Sequence, residues 1–166
     1  MKTSISNING AREVKIRAAA QKDLDVFWDI FSKSIETQFT GYSPKLRNYF
    51  LRKLYSKENF KQWLIEKEVI LLLALQDGKI IGYLLATLPF SGTSYLIWMT
   101  VEEPFRKKGI GGALLNQYEI LIKRKGAQKI HIWASDTNFD FYKENGYKLL
   151  LRDSFKIQEW LFCKKL

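Results

Sequence analysis

The run Arg106-Lys107-Lys108-Gly109-Ile110-Gly111-Gly112 holds residue types and spacings that could bind an anion. It lies between the apolar stretch Tyr95 to Val101 and an amphipathic stretch from Ala113 to about Lys125. A strand, a basic glycine-rich turn and a helix in that order bring unpaired N–H groups and the positive end of a helix dipole to one point. Such a point binds phosphate. Glycine allows the main chain to approach the anion closely and to take a positive φ where the turn needs it. Two familiar phosphate loops are excluded. Gly112 is followed by Ala113-Leu114 rather than Lys-Ser/Thr, and the spacing G-x-G-G differs from the dinucleotide fingerprint G-x-G-x-x-G.

With Val101 and Pro104 just upstream, the same segment resembles the acetyl-CoA-binding motif of the GNAT family of N-acetyltransferases, R/Q-x-x-G-x-G/A after a strand ending in Val. The matching residues are Val101, Pro104, Arg106, Gly109 and Gly111. A second motif of that family, an aromatic-Tyr pair followed by x-x-x-Gly-aromatic, is matched by Phe141-Tyr142-Lys143-Glu144-Asn145-Gly146-Tyr147. The resemblance runs from about Val69 to Leu151, and the residues before Val69 carry no assignable motif. Three positions depart from the pattern. The proline falls one place late, Lys107 replaces a commonly small residue, and Ser135 stands where Asn is frequent, with Asn138 close enough to take over its cofactor contact.

The resemblance implies acetyl-CoA as co-substrate and a role for each matched residue. The N–H groups of Lys107, Lys108, Gly109, Ile110, Gly111 and Gly112, with Arg106, would hold the diphosphate. The main chain of Met99 and Val101 would pair with the peptide-like pantetheine arm. The Met99 N–H would also polarise the thioester carbonyl, and Tyr142 would protonate the leaving thiolate. The attacking amine must lose a proton, and Tyr95 to Val101 contains no carboxylate to take it. His131, Glu36, Glu68 and an ordered water all remain open as the base. The acceptor is a small-molecule amine, a peptide N-terminus or a lysine side chain. The competing function is an acetyl-CoA-binding sensor or assembly subunit without catalysis.

The elements that must position these residues follow from periodicity. Val14 to Ala18 alternates as a strand, and Asp23 opens a helix to about Gln38 with Leu24, Phe27, Trp28 and Phe31 on one stripe. Pro44 to about Lys67 reads as helix broken near Ser56, an N-cap. Val69 to Gln76 and Lys79 to Leu88 flank the hairpin signal Asp77-Gly78. Thr93 to Val101 is the motif strand, Lys129 to Ala134 a strand, and Phe139 to Asn145 a short helix. Tyr147 to Leu151 and Phe155 to Cys163 form a last strand pair. In the motif helix Ile110, Leu114, Tyr118 and Leu121 share a face. The expected fold is α/β, a single domain over 1–166 with a flexible Met1 to Ala11. Its central sheet is mixed and mostly antiparallel with helices on both faces, as in the acyl-CoA N-acyltransferase-like fold.

Composition sets the remaining bounds. With 46% apolar residues and three prolines, 166 residues suffice for one core without bridges. The lone Cys163 fits a reducing compartment, and one cysteine with one histidine offers no metal cluster. The N-terminus lacks the apolar segment of a secretion signal, and Val69 to Leu75 is too short to span a bilayer. A cytoplasmic setting away from membranes is expected. The net charge of +10 raises nucleic acid as a partner, but a phosphate-rich co-substrate explains a positive face more simply, so nucleic acid is disfavoured. A homodimer is left open.

Overall fold

A computed structural model of the chain describes residues 3–5, 13–38, 41–152 and 159–166. The strands are β1 (Thr3–Ile5), β2 (Val14–Ala18), β3 (Val69–Gln76), β4 (Lys79–Thr87), β5 (Thr93–Val101), β6 (Lys129–Ser135), β7 (Lys148–Arg152) and β8 (Glu159–Lys165). They form one sheet in the order β1-β2-β3-β4-β5-β6-β8-β7. Its centre is made where Asp77 and Gly78 both take positive φ, 50° and 78°, which folds β3 back onto β4. Both strands are buried on both faces over most of their length, as their unbroken aliphatic runs require. Among the described residues only β5 and β6 pair in parallel, so the sheet is mixed and mostly antiparallel as expected.

Helices cover both faces. On one lie α1 (Leu24–Thr37), α2 (Pro44–Tyr49), a π-helical turn at Phe50–Leu54 and α3 (Lys57–Glu66). Phe27 and Phe31 from these helices pack edge-on and tilted against Tyr83 of β4, Phe31 also meets Trp98 of β5, and Phe60 packs edge-on against Phe27 and Phe31. Ser56 caps α3 as its position suggests, its Oγ accepting from Asn59 N at 3.2 Å. On the other face lie α4 (Ile110–Arg124) and α5 (Phe139–Glu144). Ile110, Leu114, Tyr118 and Ile122 recur every helical turn and meet Ile130, Ile132 and Phe162 of the sheet. Arg17 of β2 grips Asp23 at the head of α1 through two hydrogen bonds, 2.6 and 2.8 Å, and holds that carboxyl below its ordinary range.

Three boundaries differ from expectation. The motif helix begins at Ile110 rather than Ala113, because Gly111 and Gly112 adopt helical geometry in its first turn. The last strand is β8, which runs on to Lys165; Phe155 to Gln158 lie outside the described residues. Of the N-terminal stretch expected to be flexible, Thr3–Ile5 pairs antiparallel with β2, and residues 1–2 and 6–12 lie outside the described residues.

Candidate functional site

Strands β5 and β6 run side by side only from Thr93–Lys129 to Leu96–Ile132. Beyond that point β5 stays with β4 and β6 with β8, so the two part. The parting coincides with a register shift in the β4–β5 ladder that leaves Ile97 as an extra residue, and such a bulge bends its strand. Further out, Glu102 N donates to Ile81 O at 2.9 Å. Antiparallel alternation then gives Thr100 and Trp98 their main-chain bonds to β4, and turns the main-chain groups of Met99 and Val101 toward the gap. The Val101 carbonyl accepts from Arg106 Nε at 2.8 Å.

The mouth of α4 opens beside this gap. Gly109 sits at the N-cap with φ 77°, a conformation that suits glycine. The first helical bond runs from Ala113 N to Gly109 O at 3.0 Å, so the N–H groups of Ile110, Gly111 and Gly112 have no partner within the helix. Among the described residues no side chain caps them, and the first turn carries no acidic residue. A 15-residue helix with its positive end bare and the exposed Lys107 and Lys108 alongside is prepared for an external anion.

The second motif lies against the first. A Cβ at Gly111 would stand 3.1 Å from Phe141 Cζ, so the absence of a side chain there lets α5 dock on the first turn of α4. Tyr142, the next residue, is 5% exposed and packs against Phe141, Tyr147 and Phe162. Burial pushes its phenol well above the ordinary tyrosine value, which keeps the hydroxyl protonated at neutral pH. The turn after α5 is pinned by Glu119 of α4. Its carboxylate accepts from Tyr147 Oη at 3.0 Å and from Lys164 Nζ at 2.8 and 2.9 Å, and Lys164 also donates to Asn145 O. Tyr118 and Tyr147 are buried.

Sequence reasoning missed Gln38 and Thr100. Gln38, just past α1, accepts from Thr100 Oγ1 at 2.5 Å and from Arg106 Nη2 at 2.8 Å. The Arg106 side chain thus ties the loop before α4 to β5 and to α1. No local signal marks this link, because its partners are far apart in the chain. Asn138 is exposed and reaches Ser135 Oγ at 3.4 Å. His131 is half-buried on the face away from α4, edge-on to Tyr95 at 5.4 Å, in the paired part of β5 and β6. Burial and Lys129 lower its pKa. Glu36, exposed in the last turn of α1, is near Gln38, whereas Glu68 precedes the end of β3 that pairs with Thr87. Among the described residues no three His, Cys, Asp or Glu side chains gather to hold a metal, and no helix is long and apolar enough to cross a membrane.

The profile of the Acetyltransferase (GNAT) family matches residues 28–147, reaching back into a region where the sequence shows no motif. An uncharacterised N-acetyltransferase of Methanocaldococcus jannaschii is 24% identical over 143 residues, 80% of this chain; the chain spans 60% of that relative's length. Among solved structures, the PaiA N-acetyltransferase of Thermoplasma acidophilum in complex with coenzyme A superposes with a TM-score of 0.80 at 23% identity, covering 92% of this chain and 99% of that one. A GNAT family acetyltransferase of Elizabethkingia anophelis with acetyl-CoA bound gives 0.56 at 25% identity over 67% of this chain and 84% of its own.

Proposed function

The chain belongs to the acetyltransferase (GNAT) family, and on that premise we propose that it transfers an acetyl group from acetyl-CoA to a primary amine by direct attack in a ternary complex. One observation carries the proposal: the bare N-terminus of α4 opens at the place where β5 leaves β6. The donor set suits this co-substrate. Unpartnered N–H groups with Lys107 and Lys108 can take its diphosphate, and the edge of β5 at Met99 and at the Val101 N–H can pair with its amide-bearing arm. Acetyl-CoA, when bound, supplies the acetyl group and a thiolate as leaving group.

The residues of the chain do the rest. The Met99 N–H points toward the gap and donates to the carbonyl oxygen as negative charge grows there; loss of such a donor costs about 3–4 kcal/mol in the barrier. The Tyr142 hydroxyl, kept protonated by burial, donates to the departing sulfur. Atoms balance when nitrogen gains the new C–N bond, sulfur leaves with the C–S electron pair and gains a proton, and the amine releases one. That last proton passes to His131, Glu36, Glu68 or an ordered water. Cys163 lies in the β8 ladder opposite His131 rather than on the parted segments, which favours direct transfer over a covalent enzyme intermediate.

A second reading, an acetyl-CoA-binding protein without catalysis, is favoured by the lack of a carboxylate on β5. Thiol release from acetyl-CoA across a panel of amines separates the two. Turnover is expected, and Tyr142→Phe is expected to lower kcat on the order of 10²-fold with little change in affinity for acetyl-CoA. Tight binding with no thiol release on any amine would establish the carrier instead.

A further inference from the structure

Resting on that acyl-transfer reading, we propose that the acceptor amine sits on an anionic carrier, an amine accompanied by carboxylate or phosphate, and that Lys45, Arg52 and Lys53 select it. Between Thr37 and Lys57 the only charged residues are Lys45, Arg47, Arg52, Lys53 and Lys57, all basic. This segment lies over the outer end of β5, on the face opposite α4. The Tyr42 and Phe50 rings stand 6.0 and 5.8 Å from the ring of Trp98, the neighbour of Met99. Gln38 closes the same corner through Thr100. An amine approaching Met99 from the face that α4 leaves open therefore passes along α2 and the π-helical turn.

Two of the five cations serve the protein itself. Arg47 Nη1 donates to Glu36 O at 2.6 Å, satisfying a carbonyl at the end of α1, and Lys57 pairs with Asp25 at 2.9 Å. Lys45, Arg52 and Lys53 are exposed, and none forms an ion pair with a described residue. The acidic residues that flank this segment and β5 in sequence are Glu36 on α1 and Glu102 and Glu103 after β5. The segment's own charged residues are all basic, and a surface segment of one sign concentrates counter-charged ligands and repels like-charged ones.

A polyamine would bring further positive charge to this segment, whereas an amino acid, an amine phosphate or an acidic peptide would bring its complement. The same cations favour the neutral, nucleophilic form of an entering amine over its ammonium. That effect suits a strand whose Tyr95 to Val101 offers no carboxylate.

The test compares kcat/KM for four acceptors at low ionic strength: an acidic amino acid, a peptide with acidic residues after its free N-terminus, a neutral alkylamine and spermidine. Anionic acceptors should exceed spermidine by at least about tenfold, and salt should narrow the gap. A variant with Lys45→Glu, Arg52→Glu and Lys53→Glu should reverse the order, and the milder Lys45→Gln, Arg52→Gln, Lys53→Gln set should flatten it. Ratios between acceptors within one preparation cancel any loss of folded protein. The amino acid and peptide arms tell a small anionic acceptor from an acidic polypeptide. Equal or better use of spermidine, or an order that the charge variants leave untouched, overturns the proposal while acyl transfer stands. If thermal stabilisation by acetyl-CoA and thiol release are both absent, the acyl-transfer reading falls and this inference with it.

Discussion

The Thr100 hydroxyl is buried on β5, with the residue 7% exposed, and it donates to Gln38 Oε1, which Arg106 also engages. Removing the acceptor differs physically from removing the donor. Gln38→Leu would leave a buried hydroxyl without a protein partner and a guanidinium with one bond fewer, a loss of about 1–3 kcal/mol. Thr100→Val removes the hydroxyl itself while Gln38 keeps Arg106, so its cost should be the smaller of the two. Urea unfolding of the single variants checks the order, and equal losses would show that the link adds nothing beyond packing. The sequence shows Arg106 as a motif residue, but not where its guanidinium goes. The Nε bond to Val101 O lies within reach of a local reading, whereas the bond to Gln38 depends on how α1 crosses the sheet.

Between elements, the decisive approach is that of α5 to the first turn of α4. Gly109 is needed for its positive φ, whereas Gly111 is needed for the space that Phe141 fills. A valine at 111 would drive Phe141 away and shift Tyr142, the next residue of the same helix, from its packing against Tyr147 and Phe162. Misplacement by about 1 Å can cost on the order of 10²-fold in rate. Gly111→Val should therefore lower kcat well beyond its effect on melting temperature, and Phe141→Leu should restore part of the loss by vacating the crowded space. If the double variant is no better than the single one, the displacement account fails. The two motifs are legible in the sequence because each uses rare residue types at fixed spacing. Their contact was not, since G-x-G-G reads equally well as a turn or as the opening of a helix. The helical N–H ladder, with Ala113 bonded to Gly109, decides for the helix.

Across the whole molecule, four tyrosines are built into the interior from both faces of the sheet. Tyr83 bonds Ser34 at 2.6 Å, Tyr118 bonds Ser94 at 2.6 Å, Tyr147 bonds Glu119, and Tyr142 packs among aromatic rings. Burial pushes all four phenols above the ordinary value of 10.0, and the Glu119 carboxylate pushes Tyr147 further. In the unfolded chain they ionise at the ordinary value, so the folded state binds more protons above it. The stability these phenols contribute is complete below pH 10 and declines as pH rises beyond it. Stability measured by denaturant at rising pH should fall steeply past pH 10. The ultraviolet tyrosinate signal of these residues should appear only together with the loss of folded circular dichroism. Ionisation of all eight tyrosines in a still-folded protein would contradict the packing described here.

By itself the sequence determined the order of elements from β2 onward, the hairpin at Asp77-Gly78, the Ser56 cap and the two motifs, because these depend on residues a few positions apart. It also determined that β5 offers no carboxylate and that the stretch after Thr37 is basic, which are matters of composition. Only the tertiary structure decided that β5 leaves β6 after Leu96, that Tyr142 is buried while Phe141 packs on α4's first turn, and that Gln38 joins α1 to the loop before α4. It also decided that His131 faces away from α4, and that Thr3–Ile5 adds an eighth strand to the sheet. Each of these depends on which distant segments share a ladder or a core. Strand pairing satisfies main-chain groups whose identity the side-chain sequence does not record.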